Sequence, residues 1–151
     1  MFLKKVNNYL SLVKFSHTVF AMPFALIGFT LAMTQTDSKF DILLLLKVIL
    51  CMIFARTAAM AFNRYIDRDI DSQNQRTAIR EIPKGIISPQ AALSLVILSS
   101  LAFVVTTYFI NQICFYLSPV ALMVVLGYSL TKRFTWLCHL ILGVGLSLAP
   151  I

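Results

Sequence analysis

Acidic residues are scarce in this chain. It holds 6 of them against 13 lysines and arginines, and none follows Glu81. Residues 82–151 therefore offer no side-chain carboxylate for metal binding or acid–base work. Charge of either sign is thin: 13% of the 151 residues are charged, 59% are hydrophobic and the mean hydropathy is +0.84. That balance excludes an ordinary soluble domain, which has no use for so much apolar surface. Cysteine is sparse too. Cys51, Cys114 and Cys138 stand singly in apolar runs, which excludes metal-ligand spacing and leaves them as small packing residues. His17 and His139 also lack ligand spacing. The stretch Met1–Lys14 has no A-x-A-like site after it and precedes several further apolar runs, so it does not read as a signal peptide.

What the chain does have is a series of apolar runs near the ~20 residues that cross a bilayer as a helix. Residues 2–14 place apolar side chains near helical period and read as a short interfacial helix. Spans are expected at about 18–36, 42–65, 91–110, 113–130 and 134–151. The fold class is therefore all-α, a multi-pass transmembrane helical bundle. Lys47 lies near the outer end of the second span and is expected to snorkel. Arg56 lies deeper, where a charge should face the bundle interior or water.

The formal net charge is +7. Its distribution argues against a nucleic-acid partner, because the basic residues alternate with spans and form no single soluble face. Lys4, Lys5 and Lys14, then Arg64, Arg68, Arg76, Arg80 and Lys84, then Lys132 and Arg133 all fall on one side of an alternating bundle. The positive-inside rule makes that side cytoplasmic, N-terminus included. Acidic head groups of membrane lipid, or a phosphorylated ligand, are the natural partners of such a face.

The densest cluster of polar residues lies on that same side. Asn63, Asp67 and Asp71 follow one another at four-residue steps, so on a helix their oxygens stack along one face. Asp69 points elsewhere. A solvated helix end with exposed ion pairs explains such a pattern equally well on spacing alone. The neighbours tip the balance. Asn63 and Arg56 extend the polar face toward the membrane, where polar groups are costly unless they line a cavity or bind something. Mg²⁺ takes one or two carboxylates and completes its octahedron with phosphate oxygens and water. Arg76, Arg80 and Lys84 follow at four-residue steps, and arginine holds phosphate oxygens in a bidentate fork.

At these residues the chain resembles the UbiA family of membrane prenyltransferases. The family's N-x-x-x-D-x-x-x-D signature with a trailing R-T-x-x-R is similar to Asn63, Asp67 and Asp71 followed by Arg76-Thr77-Ala78-Ile79-Arg80. Its later Y-x-x-x-K-R-x-T is similar to Tyr128 through Thr135, with Lys132 and Arg133 as the basic pair. The segment Phe15–Leu26 resembles a bacterial branch of the 4-hydroxybenzoate polyprenyltransferase type. Arg80-Glu81-Ile82-Pro83 stands where many members have R-P-L, which leaves the acceptor open.

The resemblance implies transfer of a polyprenyl group from polyprenyl diphosphate to an aromatic acid, in quinone biosynthesis, at a bacterial inner membrane. It implies Mg²⁺ as cofactor, held by Asn63, Asp67 and Asp71, with Asp67 and Asp71 as the catalytic pair. Arg76, Arg80, Lys132 and Arg133 would contact the diphosphate. Lys14 or Arg56 would receive the acceptor's carboxylate. The acceptor is expected to be 4-hydroxybenzoate, with a dihydroxynaphthoate-type menaquinone precursor as the alternative. Family members have about nine spans and a second aspartate-rich motif. Residues 1–151 are therefore expected to be the N-terminal portion of one such domain, cut inside a fifth span and inactive alone. The competing expectation is a non-enzymatic small membrane protein, such as a transporter-like bundle completed by dimerisation.

Overall fold

The computed structural model describes residues 2–35 and 40–131. These form five helices: α1 (Phe2–Leu12), α2 (Phe15–Gln35), α3 (Ile42–Gln73), α4 (Pro89–Tyr108) and α5 (Gln112–Thr131). Four of them, α2 to α5, are long and apolar enough to cross a membrane. The expected fifth span, 134–151, lies outside the described residues.

The helix ends follow local chemistry. The Asp41 carboxylate accepts hydrogen bonds from the amides of Leu43 (2.8 Å) and Leu44 (3.2 Å) and so caps α3. Ser88 caps α4 through the Ala91 amide at 3.2 Å, with Pro89 pre-set for the first turn. Helix α1 stops at Leu12, and Lys14 takes a left-handed φ of 49° in the joint before α2. Helices α3 and α4 make the most extensive pairing, with α5 and α2 packing on α3 as well. Several of the residues buried along the apolar parts of these helices are small: Ala58 and Ala61 on α3, Ala92 and Ser99 on α4. Small residues let helix backbones approach closely in a bilayer, where no hydrophobic effect drives helices together. Large side chains such as Phe20, Leu98 and Leu101 are exposed, as suits a lipid-facing surface.

Lys47 does more than snorkel: its Nζ donates to the Phe109 carbonyl at the end of α4, at 2.8 Å. Cys51 and Cys114 are half-buried free thiols; Cys138 lies outside the described residues.

The main departure from hydropathy is the length of α3. The second span was expected to give way to loop after residue 65, yet α3 runs unbroken to Gln73. Its 32 residues measure roughly 48 Å at 1.5 Å each, against a hydrocarbon core of roughly 30 Å. The excess is the charged end, which continues as unbroken helix past the apolar run.

Candidate functional site

The last turns of α3 carry the acidic ladder. Asp67 and Asp71 are 4% and 6% exposed, and Arg64, on the same stripe, is 6% exposed. Asn63 is half-buried one turn before Asp67, and Asp69 is exposed. The exposed-pair arrangement does occur on this helix, but elsewhere. Arg68 lies 3.6 Å from Asp69, stacks over the Tyr65 ring at 4.7 Å and donates to the Tyr65 carbonyl at 2.8 Å.

The loop after α3 folds back over the ladder. Asn74 begins it: its side-chain oxygen accepts from the Arg76 amide at 3.0 Å, and its carbonyl accepts from the amides of Thr77 and Ala78 at 2.9 and 2.8 Å. Thr77 Oγ1, buried, donates to the Asp71 carbonyl at 3.0 Å. This brings Arg80 back to the helix, where its Nη1 lies 2.6 Å from both Asp71 carboxylate oxygens. Asp71 is thus neutralised across nine positions of chain by a residue that the family resemblance assigns to the diphosphate.

Together these residues wall a cavity of about 520 Å³ lined by Asp67, Ile70, Asp71, Asn74, Arg76, Thr77 and Arg80. Four expected site residues therefore share one space: Asp67, Asp71, Arg76 and Arg80. Asn63 borders Asp67 on the helix but does not line the cavity. Arg56 is half-buried on α3, two turns nearer the membrane than Arg64, and its Nε has no hydrogen-bond partner. Lys14 is exposed in the α1–α2 joint and does not line the cavity. Lys132 and Arg133 lie outside the described residues.

Among the described residues no three His, Cys, Asp or Glu side chains are grouped to hold a metal by themselves. The donors present nevertheless suit Mg²⁺. Two carboxylates and a nearby amide oxygen are hard ligands, and the remaining positions of such a site go to phosphate and water.

Three contributors escaped the spacing argument. Thr77 and Asn74 shape the loop, and the threonine was visible only as a motif letter. Arg64 is the larger omission. Its guanidinium is buried, its Nε has no hydrogen-bond partner, and the charges of Arg80, Glu81, Asp71 and Asp67 all act on it. Its seven-residue offset from Asp71 already put both on one stripe.

Residues 21–151 match the UbiA prenyltransferase family. The 4-hydroxybenzoate octaprenyltransferase of Aliivibrio fischeri is 33% identical over 108 residues, covering 70% of this chain and 37% of that protein. The Photobacterium profundum protein of the same name is 36% identical over 101 residues, covering 67% and 35%. The chain thus spans a little over a third of the length of the curated relatives it matches. Among solved structures, a UbiA homolog from Aeropyrum pernix in its apo form superposes with a TM-score of 0.79 at 32% identity, over 89% of this chain and 48% of that one. A digeranylgeranylglyceryl phosphate synthase structure, at 21% identity and a TM-score of 0.74, shares the fold over 83% and 43%. By sequence and by architecture, the chain belongs to the UbiA prenyltransferase family.

Proposed function

We propose that this chain supplies the diphosphate-binding half of an aromatic prenyltransferase site. The whole protein would transfer a polyprenyl group from polyprenyl diphosphate to a 4-hydroxybenzoate-like acid in a bacterial inner membrane. One observation carries the reading: two buried carboxylates, Asp67 and Asp71, share a cavity with Arg76 and Arg80 at the C-terminal end of a long apolar helix. Family membership favours a transferase over the transporter-like alternative. The basic flanks favour a cytoplasmic site.

Asn63, Asp67 and Asp71 would hold Mg²⁺, which when bound draws charge onto the leaving diphosphate. Every other contribution comes from the chain. Arg80 exchanges its Asp71 carboxylate for phosphate oxygens, and Arg76, exposed at the cavity wall, meets the same group. Lys132 and Arg133 would complete that set. The apolar helices hold the prenyl tail and keep water from the allylic cation left when the C–O bond ionises. A ring carbon of the acceptor, beside its phenolic oxygen, attacks that cation and then loses its proton. Arg56 is the better candidate for the acceptor's carboxylate, since it lies inside the bundle with an unpartnered donor, whereas Lys14 is exposed.

The test is transfer of a labelled polyprenyl diphosphate by the full-length protein to a panel of aromatic acids. Mg²⁺-dependent labelling of 4-hydroxybenzoate is the expected result; labelling of a dihydroxynaphthoate-type acid instead selects the other acceptor. No labelling of any acid refutes the reading. The 151-residue chain by itself, whose match covers 37% of a relative, is expected to give no turnover.

A further inference from the structure

The loop that carries Arg76 and Arg80 is held from an unexpected direction. Ser11, at the end of α1, donates a hydrogen bond from its hydroxyl to the Glu81 carboxylate, 70 positions away. Next to it Leu12 is fully buried against Ile82, Ile87 and Ala92. The Glu81 carbonyl accepts from the amides of Ile86 at 2.9 Å and Ile87 at 3.1 Å, which closes this part of the loop into a compact turn. Glu81 directly follows Arg80, whose guanidinium lies 2.6 Å from Asp71. The end of α1 therefore grips the residue adjoining the arginine, while the rest of α1 leaves Leu3, Val6 and Leu10 exposed.

We propose that α1 is a strap that sets the phosphate-binding loop: Ser11, Leu12 and Glu81 are positioning residues that act through Arg80 on the polyprenyl diphosphate. This rests on the diphosphate reading of the cavity. The physical reason is entropic. Residues 74–88 form no regular helix, and an arginine on a loose loop must be ordered when the anion arrives. A strap that orders it beforehand removes that cost from binding and leaves the chemical step alone.

The full-length protein in its membrane provides the test. Ser11→Ala and Glu81→Ala each remove the bond. Each is expected to raise KM for the polyprenyl diphosphate by about three- to tenfold, the weight of one ordinary hydrogen bond, since this one is exposed to solvent. The value of kcat and the KM for the aromatic acid should stay within about twofold. Ser11→Thr, which keeps the hydroxyl, should restore the diphosphate KM. Trypsin should cut faster after Arg80 and Lys84 in both Ala variants, with the global melting temperature unchanged. Leu12→Ala should exaggerate both effects. An unchanged diphosphate KM overturns the proposal, and so does an equal rise in KM for both substrates. If the wild-type protein transfers no prenyl group, the proposed function fails by itself. The strap is then judged by inorganic pyrophosphate with Mg²⁺, which should protect the loop from trypsin at several-fold lower concentration in wild type than in Ser11→Ala; equal concentrations reject it.

Discussion

Removing one half of the Asp71–Arg80 pair should not be equivalent to removing the other. The Asp71 side chain is 8% exposed and that of Arg80 is 29% exposed. Arg80→Ala strands a carboxylate in a place water scarcely reaches, and breaking a buried pair this way costs about 3 kcal/mol or more. Asp71→Asn strands a guanidinium that can reach solvent, and the amide still accepts one hydrogen bond. Its cost should be about 1 kcal/mol, that of one ordinary hydrogen bond. The double variant keeps neither charge of the pair, so it should resemble Asp71→Asn and be more stable than Arg80→Ala alone. A double-mutant cycle on equilibrium unfolding of the full-length protein in mixed micelles reads all three values. Ligand adds a second readout. Wild type should gain about 2.7 kcal/mol from Mg²⁺ and pyrophosphate at a hundred times their Kd, and Asp71→Asn and Arg80→Ala much less. If Asp71→Asn costs as much as Arg80→Ala, or if the double variant is the least stable, the buried-carboxylate argument is wrong.

Asp67→Ala should abolish Mg²⁺-dependent prenyl transfer while leaving the helical content unchanged; circular dichroism and a labelled transfer assay check both, and retained transfer rejects the metal role. Arg56→Ala should raise KM for the aromatic acid by about tenfold or more, with the diphosphate KM unmoved, as expected when a charged hydrogen bond to a carboxylate is lost. Gly85, at φ 71°, has open space around its α-carbon, so Gly85→Ala should cost only the roughly 1 kcal/mol of a left-handed backbone, read as a small drop in melting temperature.

Hydropathy located the spans because a bilayer filters for length and apolarity, and α2, α4 and α5 each lie within about three residues of their expected bounds. It missed the last two turns of α3 because a helix does not stop where the membrane does. Those turns carry charge, so no apolar signal remains, yet the four-residue spacing of Asn63, Asp67 and Asp71 already required a helix there. The ladder itself was legible for the same reason. Its counter-charges were not. Arg80 reaches Asp71 only because Asn74 and Thr77 turn the loop back, and Ser11 reaches Glu81 across 70 positions; neither distance is written in a local period. Arg64 was legible in principle. Its position one heptad before Asp71 marks the same stripe, but its charge suggested topology and drew attention away from burial.

The opposite end of the bundle has a different electrostatic character. Asp41 sits where α3 presents its free amides, and Lys47 reaches the carbonyls where α4 runs out. Among the described residues, Asp41 and Lys47 are each matched there to a helix terminus of the opposite polarity, so neither is left to advertise itself to lipid. A count of lysines and arginines thus understates the polarity of this molecule. On one side Lys47 is committed to backbone; on the other, Arg76 and Lys84 stand open to water and to whatever anion approaches.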